Sequence, residues 1–217
     1  MEIYIIRHGE TAGNRDHLLN GWTDIPLAPD GVTLAAQTGR ALRGITFDAA
    51  YTSPLIRAEQ TAQLVLNESG NNNTPIIYDD RIKEIFAGDW EGISMMNISD
   101  PVLGGKIRDY LAHPKAEWGF PGGETLHQVM ARTQDFLKEA AQGPQQRILV
   151  STHGCALRCM LNFLYEDPSD FWQGRMPYNC AVSIVSAENG SMKLLAKDKI
   201  YYDPALCVDR YSFTEKA

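Results

Sequence analysis

Two stretches of the chain carry apolar residues on consecutive positions and stop abruptly at polar clusters: Ile3 to Ile6, and the centre (Ile148 to Val150) of Arg147 to Ser151 (RILVS). Unbroken apolar runs of this length are the mark of strands covered on both faces. Asp48 to Thr52 and Pro75 to Tyr78 read as shorter strands. Between the strands the apolar spacing turns helical. Val32 to Leu42 places Leu34, Ala35, Thr38, Ala41 and Leu42 on one side, and Gly44 ends it. Ser53 and Pro54 read as N-cap and first position of a helix running to about Asn67, with Leu55, Ala58, Ala62, Val65 and Leu66 on its face. Glu124 to Ala141 carries Leu126, Val129, Met130, Thr133, Phe136 and Leu137 at helical spacing. Cys155 to Tyr165 reads as helical, and Pro168 to Gly174 as a short helix. Ala181 to Ser186 and Met192 to Ala196 flank Asn189-Gly190, a strong hairpin signal.

Strands alternating with helices predict an α/β domain with a mainly parallel sheet, to which the last hairpin adds an antiparallel edge. Gly21 to Gly31 is turn-rich and reads as a loop. Gly104 to Gly123 is the least regular part, with helical character around Lys106 to Leu111, then His113-Pro114 and a Pro121-Gly122-Gly123 turn. No composition shift or linker divides the chain, so residues 1–217 are expected to form one domain with a lid-like insertion at about 93–123. The tail from Tyr201 onward carries no element we assign.

Composition narrows the function classes. The formal net charge of -7 argues against a nucleic-acid or membrane-surface partner, which would need a basic face. It leaves room for a small anionic substrate, because a local basic cleft focuses field inside an acidic protein. The sequence opens without a basic segment followed by a long apolar run, and no stretch approaches the ~20 apolar residues of a membrane helix. With four cysteines expected to be reduced, the expectation is a cytoplasmic protein, monomeric or homodimeric. Cys155 and Cys159 lie near His153, but four-residue spacing on a helix with no second ligand pair favours buried packing over a metal.

The candidate chemistry sits where the strands end. Ligands of open α/β sheets bind at the carboxyl ends of the strands. Arg7 and His8 follow the first strand, and Thr152, His153 and Gly154 follow RILVS, so two distant histidines should meet at one sheet edge. Either histidine alone reads more readily as a packed or solvent-facing residue; two with the same placement, each beside a glycine, weaken that reading. Arg57 falls near the start of its helix, where a cation opposes the macrodipole at a cost of roughly 0.3–1 kcal/mol that a bound anion would remove. Arg7, Arg57 and His153 together suggest a phosphate site, since guanidinium forks match phosphate oxygens. No GxxxxGK[ST] loop occurs. His8 can act as nucleophile through a neutral ring nitrogen, and Glu84 is the best-placed carboxylate for proton transfer, although sequence alone does not bring it near His8.

At this point the residues carry a resemblance. RHGETAGN at Arg7 to Asn14, GWTDIPL with Gly31 behind it, TSPLIRAEQTA around Arg57, KEIFAGDWEG around Glu84, PGGET at Pro121 to Thr125 and STHG at His153 resemble, in order, the blocks of the histidine phosphatase (phosphoglycerate mutase-like) superfamily, to about residue 185. The resemblance implies a three-layer α/β/α sandwich, Rossmann-like, with a mainly parallel central sheet and an antiparallel edge strand. It implies that His8 takes the phosphoryl group and that Arg7, Arg57 and His153 hold the phosphate oxygens. Glu84 would protonate the leaving oxygen and then activate water. Asn14 and the Gly154 backbone would add hydrogen bonds, and Asn20 and Gly21 would lie in the substrate loop. It implies no metal and no cofactor.

Within that superfamily the residues favour a phosphatase. Mutases of this kind carry an RHYG-like segment after the glutamate and a paired arginine. Here Ile85 and Phe86 follow Glu84, no Arg-Arg pair occurs, and Arg108, Lys106 and Lys115 are the only arginine and lysines between Glu84 and Glu124. A phosphoglycerate mutase, a fructose-bisphosphatase-like enzyme and a phosphoprotein phosphatase remain the alternatives. Met95, Met96, Trp118 and Phe120 of the insertion read as cap packing, with substrate contact as the second reading.

Overall fold

The computed structural model describes residues 1–97, 99–112 and 114–208. His113 of the His113-Pro114 turn and the tail residues 209–217 lie outside the described residues. One six-stranded sheet has the order β3-β2-β4-β1-β5-β6. Its strands are β1 (Glu2–Arg7), β2 (Ala49–Thr52), β3 (Ile76–Tyr78), β4 (Arg147–Thr152), β5 (Val182–Glu188) and β6 (Ser191–Lys199). β3, β2, β4 and β1 run parallel. β5 runs antiparallel to β1, and β6 antiparallel to β5. The antiparallel part is therefore two strands wide, joined at Asn189 (φ 52°) and Gly190 (φ 78°), the two positive φ values that the Asn-Gly pair supplies at least cost.

The helices are α1 (Ala12–Arg15), α2 (Pro29–Ala41), α3 (Ile56–Ser69), α4 (Leu103–Ala112), α5 (Leu126–Ala140) and α6 (Gly154–Leu161). Alternate residues of β1 explain the layering. Ile3 and Ile5 face α5 and α6, joining Phe136, Leu137, Leu157 and Met160. Tyr4 and Ile6 face α2 and α3, joining Leu34, Ala35, Val65 and Leu66. Ile3, Ile5 and Ile6 have no exposed surface, and each such side chain contributes roughly 1.5–3 kcal/mol of burial.

Three local expectations are corrected. α2 starts at Pro29, ahead of Val32, because Pro at the first helical position needs no N–H partner. α3 starts at Ile56 with Leu55 as N-cap, so Ser53 and Pro54 precede the helix. The Ser53 hydroxyl is taken by His153 at 2.8 Å, and its contact to Leu55 N is a long 3.3 Å. Pro168 to Gly174 forms turns, with Gln173 (φ 55°) and Gly174 (φ 86°) interrupting any helix.

Candidate active site

β1 ends at Arg7, and His8 N donates to Thr152 O of the neighbouring β4 at 2.9 Å. The strand register pairs Arg7 with Thr152, so the residues after each strand emerge side by side. The His8 and His153 rings lie 5.1 Å apart between centroids. Gly9 must approach Gly31 closely, since a Cβ there would lie 2.6 Å from Gly31 O. This contact seats the turn after β1 on the start of α2.

His8 Nδ1 lies 2.7 Å from Gly9 O. A carbonyl only accepts, so Nδ1 carries the ring proton and Nε2 keeps the lone pair. Burial first, then Arg57 and Arg7, holds the His8 pKa well below 6.5, against a smaller opposing effect of the Gly9 hydrogen bond. The ring is therefore held neutral, with its lone pair on Nε2. His153 is also held well below 6.5, by burial first and then by Arg57, His8, Arg132 and Arg7. Its Nε2 pairs with Ser53 Oγ at 2.8 Å, while among the described residues its buried Nδ1 has no protein partner.

Arg57 is fully buried at the second position of α3. Its Nη1 donates to Thr23 O (2.9 Å), and its Nη2 to Gly21 O (2.7 Å) and Asn20 O (3.1 Å). The guanidinium thus fastens the loop that carries Asn20 and Gly21, as well as bringing charge. Burial lowers its pKa to about 10, opposed by Glu84, Asp24 and Glu91. Arg7 is buried and donates through Nη1 to Pro177 O. Gly154 lies against it, with a hypothetical Cβ 3.4 Å from Arg7 Nε.

Glu84 comes from the segment after β3. Ile85 N (2.9 Å) and Ala156 N (3.0 Å) donate to its Oε1, and Cys155 N (3.2 Å) to its Oε2. Two of these donors are in the first turn of α6, where the helix dipole favours an anion. Arg7, His8 and Glu84 share one crevice, whose polar lining they form together with Asn14, Asn20 and Gly21. Leu18, Leu19, Ile85, Met95, Tyr110 and Met176 form its apolar side. Arg57 and His153 are fully buried and are not among these lining residues. Asn14 also serves a structural purpose: it closes a capping box with Thr11, and its Oδ1 accepts from Asn179 Nδ2 at 3.3 Å. Asn20 keeps both side-chain amide atoms buried without a protein partner among the described residues.

Several contributors had no signature in the sequence. Ser53 passed as a helix cap. Asn179, which also donates to His8 O at 3.0 Å, arrives from the chain leading into β5. Tyr110 reaches the crevice from α4, within the irregular stretch. Its ring stacks on Trp118 at 4.5 Å, and Trp172 Nε1 donates to its carbonyl at 2.8 Å. Cys155 and Cys159 are buried on α6. Among the described residues no group of three or more His, Cys, Asp or Glu is arranged to hold a metal ion, and no helix is long and apolar enough to cross a membrane.

Comparison with known proteins agrees with this architecture. The 2,3-bisphosphoglycerate-dependent phosphoglycerate mutase of Azorhizobium caulinodans is 33% identical over 169 residues, covering 75% of this chain and 80% of the relative. The solved structure of Bacillus stearothermophilus YhfR superposes with a TM-score of 0.82 at 27% identity, covering 92% of this chain and 97% of that one. A mycobacterial glucosyl-3-phosphoglycerate phosphatase shares the fold, with a TM-score of 0.75 at 23% identity over 91% of this chain and 98% of its own. The sequence model of the histidine phosphatase superfamily (branch 1) matches residues 3–198, and the chain, with its paired strand-end histidines and six-stranded sheet, belongs to that superfamily.

Proposed function

We propose that the protein is a phosphomonoester hydrolase working through a phosphohistidine on His8. His8 Nε2 attacks phosphorus, and the bond from phosphorus to the ester oxygen breaks. Glu84 hands that oxygen a proton. Water then attacks the phosphohistidine, Glu84 takes the water's proton, and the N–P bond breaks to release phosphate. Arg7, Arg57 and His153 stabilise the phosphoryl oxygens, with preorganised charge and donors supplying most of the rate. Ser53 O–H donates to His153 Nε2, which leaves Nδ1–H as the donor to phosphate. Asn14, Asn20, and the backbone of Gly21 and Gly154 complete the cradle. The reading needs no metal and no cofactor, and the partner is a small phosphorylated metabolite.

The observation that carries hydrolysis over phosphoryl isomerisation is the make-up of the crevice. Among its described lining residues Arg7 is the one cation, and half of the lining (Leu18, Leu19, Ile85, Met95, Tyr110 and Met176) is apolar or aromatic. Phosphoglycerates carry a carboxylate besides the phosphate, and a bisphosphoglycerate carries a second phosphate. A buried charge without a partner is strongly disfavoured. The insertion reads the leaving group through Met95 and Tyr110, which suits an uncharged organic alcohol. The relatives named as mutases favour the other reading, and one assay decides. With 3-phosphoglycerate and 2,3-bisphosphoglycerate as primer, the protein is expected to release inorganic phosphate or nothing. Rapid appearance of 2-phosphoglycerate would overturn the hydrolase reading. His8→Ala is expected to abolish hydrolysis of an aryl phosphate, and wild-type activity is expected to survive chelator.

A further inference from the structure

One side chain outside the crevice holds the whole Glu84 segment. Arg132, on α5, donates through Nη1 to Arg81 O (2.7 Å) and Lys83 O (2.6 Å), and through Nη2 to Glu84 O (2.8 Å). Its remaining donors go to Glu124: Nε to Oε1 and Nη2 to Oε2, both at 2.9 Å. Glu124 in turn accepts from Phe86 N at 2.8 Å and donates its own N–H to Phe86 O at 2.9 Å. Residues 81–86 are thus gripped from the chain side by a fork and from the far side by a carboxylate. Arg132 and Glu124 are both largely buried, at 17% and 19% side-chain exposure, so the grip is shielded from water.

The same unit includes the root of the insertion. A Cβ on Gly88 would lie 2.2 Å from Pro121 O, and one on Gly123 would lie 2.3 Å from Phe86 O. The Pro121-Gly122-Gly123 turn and residues 86–88 therefore pack backbone to backbone. A guanidinium has the planar fork needed to reach three carbonyls and a carboxylate together, and an ammonium does not.

We infer that Arg132, locked to Glu124, is a positioning residue for Glu84: it fixes the main chain from which the proton-transferring carboxylate is aimed at the ester oxygen. The inference rests on the assignment of Glu84 as the proton donor. It predicts a dependence on leaving group that a purely structural arginine would not produce. An alcohol needs its oxygen protonated as the bond to phosphorus breaks, whereas dinitrophenolate leaves without a proton. Arg132→Lys keeps the positive charge that Arg132 projects toward His153 and removes only the fork.

The test is kcat/KM, which reports events up to the phosphohistidine, for an alkyl phosphate and for 2,4-dinitrophenyl phosphate, in the wild type, Arg132→Lys, Glu124→Gln and Glu84→Gln. General acid catalysis contributes about 10²–10⁴-fold, so Glu84→Gln should lose about that on the alkyl ester and far less on the dinitrophenyl ester. Arg132→Lys is expected to lose about tenfold or more on the alkyl ester, within the roughly 10²-fold that a misplacement of about 1 Å can cost, and under about threefold on the dinitrophenyl ester. Glu124→Gln, which keeps its shape and its bond to Phe86 N, should show the same selectivity at smaller size, and it carries the test if Arg132→Lys does not fold. Equal losses on both esters in Arg132→Lys or Glu124→Gln, with Glu84→Gln selective, would overturn the positioning role. Equal losses in Glu84→Gln itself would instead overturn the assignment of Glu84.

Discussion

The two histidines make the folded state sensitive to mild acid, and the size of the effect can be worked out. Both rings are fully buried beside Arg57 and Arg7, and both are held well below 6.5. In the unfolded chain a histidine titrates near 6.5. As pH falls through 6.5 the unfolded chain takes up two protons that the folded chain refuses, so stability falls with pH and levels off only at the lowered native values. Between pH 7.5 and 5.5 an unfolded ring goes from about one-tenth to nine-tenths protonated, which costs the fold up to about 3 kcal/mol for the pair. For a chain of this length that is roughly 5–10 °C in Tm. The measurement is urea unfolding at both pH values in phosphate-free buffer, for the wild type and for His8→Asn/His153→Gln. Asn places an amide near the Nδ1 that meets Gly9 O, and Gln places one near the Nε2 that meets Ser53. Carboxylates contribute equally to both proteins, so the quantity of interest is the difference between their losses. The double variant should lose up to about 3 kcal/mol less than the wild type. A difference below about 1 kcal/mol would show that the native rings take up protons with the unfolded ones, and the argument for a neutral His8 nucleophile would fail.

Two further expectations concern single side chains. Ser53→Ala removes the partner of His153 Nε2 in a fully buried setting, so it should cost about 1–3 kcal/mol in urea unfolding and slow single-turnover formation of the phosphoenzyme; no change in either would count against its role. Gly88→Ala puts a Cβ 2.2 Å from Pro121 O at a positive φ of 54°. It should cost about 2–4 kcal/mol, and a urea midpoint unchanged from wild type would mean that the insertion root is looser than its geometry indicates.

The legible parts of the molecule are those whose signal is local. Ile3 to Ile6 and Ile148 to Val150 are apolar on both faces because both faces are covered, and that reading located the ends of β1 and β4. From there the meeting of His8 with His153 followed by topology. Asn189-Gly190 marked its turn for the same local reason. What escaped were residues whose meaning comes from distant partners. Ser53 has the composition of an N-cap, and its hydroxyl went to a histidine 100 residues away. Arg57 was legible as a cation in the first turn of its helix, but its grip on three carbonyls of the 20–23 loop was not. Arg132 and Tyr110 look like ordinary helix positions, and only the packed chain shows one holding Glu84 and the other facing the crevice.

The excursion from Trp90 to Pro121 begins and ends at nearly the same place. Asp89 N donates to Pro121 O at 2.9 Å, and the Trp90 and Phe120 rings meet at 5.6 Å. A loop whose ends are already pinned together pays little for its length, since doubling it costs only about 0.6 kcal/mol in closure entropy. The parts of the segment away from its contacts can therefore change in length, whereas Met95, whose N–H donates to His17 O at 2.8 Å, and Tyr110, packed with Ile85 and Cys155, tie it to the sheet edge. In evolutionary terms, this is a chassis with a partly replaceable visor: length can be gained or lost at its free stretches while the anchored residues keep their places.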